Sequence, residues 1–265
     1  MKIGYCLNMN AVDTHKIGTE AVPLIAELGY DYIELPLAQV MDLSGDEFAT
    51  LFRHIQDNHI PVESCNNFFP QSIHLTGSDA QPSLGLEYAK RAADRAAALG
   101  AEIIVFGSAK SKNIPPDFSR ERAREQLLEL LHSLQDVVKP LGIIITMEPL
   151  NRQESNFINT ATEALSVVRE AGLDNIKLLV DYYHMRMEDE DVSVIEEAGR
   201  DLWHVHLAAK QGRLFPREDD GEDYEGFFAV LKRAGYSKRV SVEAYSVNLA
   251  SDAAGALTLL KPLLN

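Results

Sequence analysis

Residues 143–181 read IIITMEPLNRQESNFINTATEALSVVREAGLDNIKLLVD: an apolar run at 143–148, a polar stretch at 149–159, an amphipathic stretch at 160–171, then Gly172 and a second apolar run at 177–181. A short run rich in Ile, Val and Leu followed by a longer amphipathic segment is the pattern of a β-then-α unit feeding a parallel sheet. Outward in both directions the unit repeats. Eight strands are predicted, at 3–7, 32–36, 62–65, 103–107, 143–148, 177–181, 203–207 and 240–244. Gly100, Gly172 and Gly235 stop the amphipathic segments 86–99, 160–171 and 224–234, and each leads into the next strand. The long connections, 66–82, 108–118, 149–159 and 208–223, all follow strands. That asymmetry favours one functional face.

Eight units predict an α/β fold, a single-domain (β/α)8 TIM barrel over residues 1–265, with its site on the C-terminal face where the βα loops gather. The rival is an open doubly wound sheet. It would carry a Gly-rich phosphate turn after its first strand, and Leu7-Asn8-Met9-Asn10 offers none. A length of 265 residues with 46% hydrophobic content is enough to bury a full core.

Forty acidic residues against 25 Lys and Arg give a formal charge of −15. Such a surface repels phosphate backbones and anionic membranes, which argues against a nucleic-acid or membrane partner. The two cysteines, Cys6 and Cys65, have neither zinc-knuckle spacing nor a disulfide framework, so a reducing compartment is expected. No basic start followed by an apolar run opens the chain, and no stretch approaches transmembrane length. A soluble, cytoplasmic protein is the expectation.

Four strand ends in the second half deliver metal-type ligands: Glu148 in Ile-Thr-Met-Glu-Pro-Leu, Asp181 in Leu-Val-Asp-Tyr-Tyr-His, His206 in His-Val-His-Leu and Glu243 in Ser-Val-Glu-Ala-Tyr. Adjacent strands lie about 4.8 Å apart, so four side chains at matching heights can converge on one ion. Each residue alone is more often a salt-bridge partner or loop anchor than a ligand; the group on consecutive strands is the specific signal. Three carboxylates and an imidazole suit one hard or borderline divalent ion, Mn²⁺ first, with Mg²⁺, Co²⁺ and Zn²⁺ as alternatives. A cation also relieves the repulsion among desolvated acids at a barrel mouth. His204, two residues before His206, points to the same face one layer deeper and reads as an interior histidine. Glu34 and Glu63 read equally as polar rim or salt-bridge partners, and His74 as loop surface.

The chain resembles the xylose isomerase-like TIM-barrel superfamily, and within it the sugar phosphate isomerase/epimerase group that includes ketose 3-epimerases and hydroxypyruvate isomerases. The likeness is carried by Tyr32-Ile33-Glu34-Leu35-Pro36, Leu99-Gly100-Ala101, Val105-Phe106-Gly107-Ser108, Glu148-Pro149-Leu150-Asn151-Arg152, Asp181-Tyr182-Tyr183-His184, His204-Val205-His206, Gly235-Tyr236 and Ser241-Val242-Glu243, and it spans nearly the whole chain. It implies that Glu148, Asp181, His206 and Glu243 bind the metal and that the two glutamates double as acid and base. It further implies that Glu154, His184 and Arg213 touch substrate hydroxyls or the carbonyl oxygen, with Arg217 in the same loop as the alternative to Arg213. A small sugar or sugar phosphate substrate and a homodimer or homotetramer also follow from the resemblance.

Isomerising or epimerising a sugar requires removing a proton from carbon next to a carbonyl, and a metal on the oxygen stabilises the enediolate. Two glutamates on opposite sides would invert a stereocentre, the ketose 3-epimerase pattern; one acting alone would return the proton to the neighbouring carbon and give aldose-ketose isomerisation. An inosose-type dehydratase shares the scaffold. A DNA-repair endonuclease would need more histidine ligands and a basic groove, and a catalytically silent sugar-binding barrel would lack the glutamate pair. Lys110 to Lys112 beside Gly107-Ser108 read either as a phosphate cradle or as a solvated turn.

Overall fold

The strands form where the apolar runs predict them: β1 (Lys2–Cys6), β2 (Tyr32–Pro36), β3 (Val62–Asn66), β4 (Ile103–Phe106), β5 (Ile144–Met147), β6 (Ile176–Asp181), β7 (Leu202–Leu207) and β8 (Arg239–Val242). The computed structural model describes residues 1–265. All neighbouring pairs are parallel, in sequence order, and β8 returns to β1 through pairs such as Ile3 with Val240, so the sheet closes into a barrel. Parallel strands covered on both faces need apolar side chains on both. β2 is buried at all five residues and meets that demand at all but Glu34.

Between the strands run α1 (Val22–Leu28), α2 (Leu37–Met41), α3 (Gly45–Asp57), α4 (Pro82–Leu99), α5 (Ala109–Lys112), α6 (Arg120–Val138), α7 (Ala161–Ala171), α8 (Tyr182–Met187), α9 (Val194–Ala198), α10 (Tyr224–Arg233) and α11 (Leu249–Leu260). α4 and α7 end at the predicted glycines, and α10 is capped by Ala234, one residue before Gly235. Gly100, Gly172 and Gly235 take φ of 91°, 64° and 73°, left-handed values that a side chain resists and that turn the chain back toward the barrel. One contiguous core of 75 buried residues joins barrel and helices, which makes this one domain. No helix is long and apolar enough to cross a membrane.

The two ends of the barrel differ in chemistry. Near the strand starts, Glu63 pairs with Lys2 and Arg239, and Arg239 also pairs with Glu102. Glu63 is thus a salt-bridge partner at the end away from the βα loops, because it sits at the second residue of β3. The opposite end gathers the acidic strand termini.

Candidate metal and active site

Parallel register sets the heights of the four ligand candidates. Asp181 closes β6 opposite His206 of β7, and His206 lies opposite Ser241 of β8. Glu148 and Glu243 fall just beyond β5 and β8, not within them as predicted. Their backbone N–H groups still donate to Phe106 and Leu207 carbonyls at 3.2 and 3.1 Å, so the extended path continues one residue past the strand. All four side chains are buried, and one ligand atom from each lies within 4.8 Å of the others. His206 Nδ1 stands 3.2 Å from Glu148 Oε1 and 3.0 Å from Glu243 Oε2.

Arg213 closes this cluster from above. Its Nη2 donates to Asp181 Oδ2 at 3.2 Å and to Glu243 Oε2, while Nη1 lies 3.5 Å from Glu154 Oε1. The guanidinium also rests on the Tyr183 ring, 4.7 Å from its centroid. Arg213 adopts φ 52° directly after Gly212 at φ 71°, a left-handed pair that bends the loop back over the barrel mouth. A non-glycine residue held there costs about 1 kcal/mol or more, and such strain tends to collect at functional sites. Arg217 pairs with Asp252 at 3.1 Å on the exterior. The structure therefore brings Arg213, and not Arg217, to the cluster.

His184 is buried beside the same cluster. The Asn151 backbone N–H and side-chain amide both donate to its Nδ1, at 3.2 and 2.8 Å. An acceptor at Nδ1 puts the ring proton on Nε2, which has no hydrogen-bond partner and lies 3.5 Å from Asp181 Oδ2. Burial, then the Arg213 charge, hold the ring well below its ordinary pKa, so it is a neutral N–H donor aimed into the site. Arg152 pairs with Glu188, not Glu154. Glu154 accepts from Asn151 Nδ2 at 3.2 Å and faces Arg213.

The carboxylates titrate apart. Burial pushes Glu148 up, with His206 opposing. Burial also pushes Asp181 up to about 7, against the pull of Arg213. Glu243 is buried too, yet Arg213 and His206 outweigh that penalty and hold it at about 2. Three acids with one imidazole and one guanidinium leave a site short of positive charge. The oxygen-rich donor set and the four-fold convergence fit a hard divalent cation.

Other residues of the site carried no local signal in the sequence. Asn66, at the end of β3, donates from Nδ2 to Glu243 Oε1 at 3.1 Å and to Asn8 Oδ1 at 3.0 Å, leaving its buried Oδ1 without a partner. Lys112 belongs to the segment expected to form a solvated turn or phosphate cradle. It is fully buried, donates to the Gly107 carbonyl, and is pushed down to about 8 by burial, with Glu148 and Glu154 opposing. Asn151 lies in the motif quoted above, but only the fold shows it setting the His184 tautomer. His74 pairs with Asp79 on an exposed loop, away from the site.

Gly107 leaves room for Glu148: a Cβ there would stand 2.2 Å from Glu148 Oε2. Gly107→Ala is therefore expected to push the Glu148 carboxylate out of the cluster while the fold persists. A crystal structure of the variant checks this; an unmoved Glu148 beside a well-ordered methyl group contradicts it.

A sequence profile described as xylose isomerase-like TIM barrel matches residues 22–263. The chain is 29% identical over 196 residues to a D-psicose 3-epimerase of Agrobacterium fabrum, covering 72% of this chain and 67% of that one. It is 28% identical over 224 residues to a ketose 3-epimerase of Arthrobacter globiformis, covering 83% and 75%. A crystal structure of D-psicose 3-epimerase in the presence of D-fructose superposes with a TM-score of 0.86 at 22% identity, over 100% of this chain and 99% of that one. Likeness at that identity shows the fold.

Proposed function

The chain belongs to the xylose isomerase-like TIM-barrel family, and from that premise we propose that it is a sugar epimerase that inverts C3 of a small ketose by two-sided proton transfer between Glu148 and Glu243, with one divalent metal held by Glu148, Asp181, His206 and Glu243. The single observation that carries the reading is the meeting of Glu148 and Glu243 at one imidazole nitrogen. β5 and β8 are separated by β6 and β7, so the two carboxylates reach the centre from different parts of the barrel rim. Homology to ketose 3-epimerases supports the substrate class.

When bound, the divalent ion supplies electrophilic stabilisation of negative charge on a substrate oxygen, with Mn²⁺ the ion best matched to the mixed oxygen and nitrogen donors. The protein's groups do the rest. One glutamate takes the C3 proton from one face and the other delivers a proton to the opposite face. His184 Nε2–H, free of any protein partner, donates to a substrate oxygen. Glu154 and Arg213 hold the neighbouring hydroxyls, and Arg213 closing over the mouth limits water access. Arg213 thereby exchanges some of its present carboxylate contacts for substrate.

Incubation of Mn²⁺-loaded protein with D-fructose, D-psicose and L-ribulose in D₂O, followed by ¹H NMR, tests the reading. The expected result is C3 epimers carrying solvent deuterium at C3. Loss of water points instead to a dehydratase, and aldose formation to an isomerase. No exchange across a broad ketose panel would leave the proposal without support.

A further inference from the structure

Of the two expectations for Glu34, polar rim and salt-bridge partner, the second holds: it pairs with His204 and His206. It lies inside the barrel, fully buried, beneath the four-residue cluster. Its Oε1 meets His206 Nε2 at 2.9 Å, and its Oε2 meets His204 Nε2 at 2.8 Å and the Ser241 hydroxyl at 2.7 Å. Since Ser241 Oγ donates to Glu34, it accepts from the Tyr32 hydroxyl, 2.8 Å away. The carboxylate is thus fixed from both sides, and its one remaining task is at His206.

A metal-binding His206 keeps one ring proton, and there are two places for it. Placed on Nδ1, the proton would sit between Glu148 Oε1 and Glu243 Oε2, at 3.2 and 3.0 Å, and would occupy the lone pair that a metal needs. Placed on Nε2, it is donated to Glu34 and leaves Nδ1 free to bind. Two carboxylates compete for the proton on the cluster side, so a neutral acceptor on the other side would be outbid. A third carboxylate is required there.

We propose that Glu34 is a positioning residue that locks His206 in the Nε2–H tautomer, so that Nδ1 faces the metal cluster. The inference rests on the metal reading above. Hydrogen-bond partners of a metal-binding histidine commonly tune affinity by roughly 10–100-fold. His204, whose own Nδ1 is unpartnered, braces the same carboxylate rather than the cluster.

Calorimetric titration with Mn²⁺ of the wild-type chain, Glu34→Gln and Ser241→Ala tests the proposal. Glutamine keeps the size of the side chain and removes its charge. The expected weakening is roughly 10–100-fold for Glu34→Gln and smaller for Ser241→Ala, which removes one brace and keeps the carboxylate. Long-range ¹H–¹⁵N NMR at one fixed Mg²⁺ concentration is expected to show His206 protonated at Nε2 alone in wild type, and in Glu34→Gln an added metal-free population with the proton on Nδ1. A purely structural role would lower the unfolding temperature and leave both readouts unchanged. Wild-type Mn²⁺ affinity retained in Glu34→Gln overturns the proposal, as does retained affinity in Ser241→Ala should Glu34→Gln fail to fold. A wild-type chain that binds neither ion overturns the metal reading, and this inference with it.

Discussion

Glu148→Gln and Glu243→Gln are each expected to lower kcat for C3 epimerisation by roughly 10³-fold or more, since a positioned acid or base contributes about 10²–10⁴-fold and each residue also touches the metal cluster. Glutamine keeps the side-chain volume and one acceptor oxygen but cannot carry the proton. The sharper readout lies in isotope exchange. Each variant keeps one competent glutamate, so in D₂O it should still exchange the C3 proton of the epimer whose C–H faces that residue, without inverting it. The other epimer should not exchange. The two variants are therefore expected to show opposite preferences between the same pair of epimers. Metal content measured alongside separates lost proton transfer from lost metal. Near wild-type epimerisation in either variant, or loss of exchange from both epimers in metal-loaded protein, would break the assignment of one glutamate to each face.

That prediction depends on residues that local pattern made visible. Short apolar runs, glycine stops and long loops after strands are dictated by the chain's own near neighbours, so all eight strands fall within two residues of their predicted ends. Glu148, Asp181, His206 and Glu243 were legible for a related reason: a charged residue closing an apolar run is conspicuous, and parallel register makes consecutive strand ends neighbours. Glu34 sits in the middle of the apolar run Tyr32–Pro36, but its partners lie 170 and 172 residues away, and nothing local says which layer of the barrel it occupies. Lys112 offers the opposite lesson. Two lysines flanking Ser111 read as a phosphate cradle or a solvated turn, yet α5 and the contacts of its loop carry Lys112 into the interior, where the Thr76 hydroxyl caps its carbonyl at 3.0 Å. Arg213 and Arg217 were inseparable until the Gly212–Arg213 backbone turned one inward. Loop backbone conformation is the part of the site that side-chain type encodes least.

Stripping the protein with a chelator is expected to abolish turnover, and returning Mn²⁺ to restore it, but the more discriminating experiment follows stability against pH. A ligand that binds the folded chain stabilises it by about 2.7 kcal/mol at a hundred times its Kd, roughly 5–10 °C in Tm for a chain of this size. Binding requires ionised carboxylates. Asp181 is pushed up to about 7 by burial, with Arg213 opposing, and Glu148 is also raised, whereas Glu243 is held at about 2 and is already ionised. A raised carboxyl pKa means that the folded metal-free chain holds a proton the unfolded chain has released, over the window from about 4 to 7. In that window the metal must displace the proton, so apparent affinity should fall about tenfold for each unit drop in pH and each proton displaced. Metal-free stability from this group is present at low pH and is lost as pH rises through 7, and there the metal takes over the charge. The Tm gap between Mn²⁺-loaded and chelated protein should therefore widen from pH 5 to 7, and go on widening more gently above it, where the metal displaces a proton from His206, whose pKa is held well above its ordinary value, against burial, by Glu34 and Glu243. A gap independent of pH would mean that the ion binds away from Asp181. With Asp181→Asn, which has no such proton to lose, the dependence should flatten while the maximal gap shrinks, and that pairing ties the pH response to this carboxylate rather than to the protein's net charge.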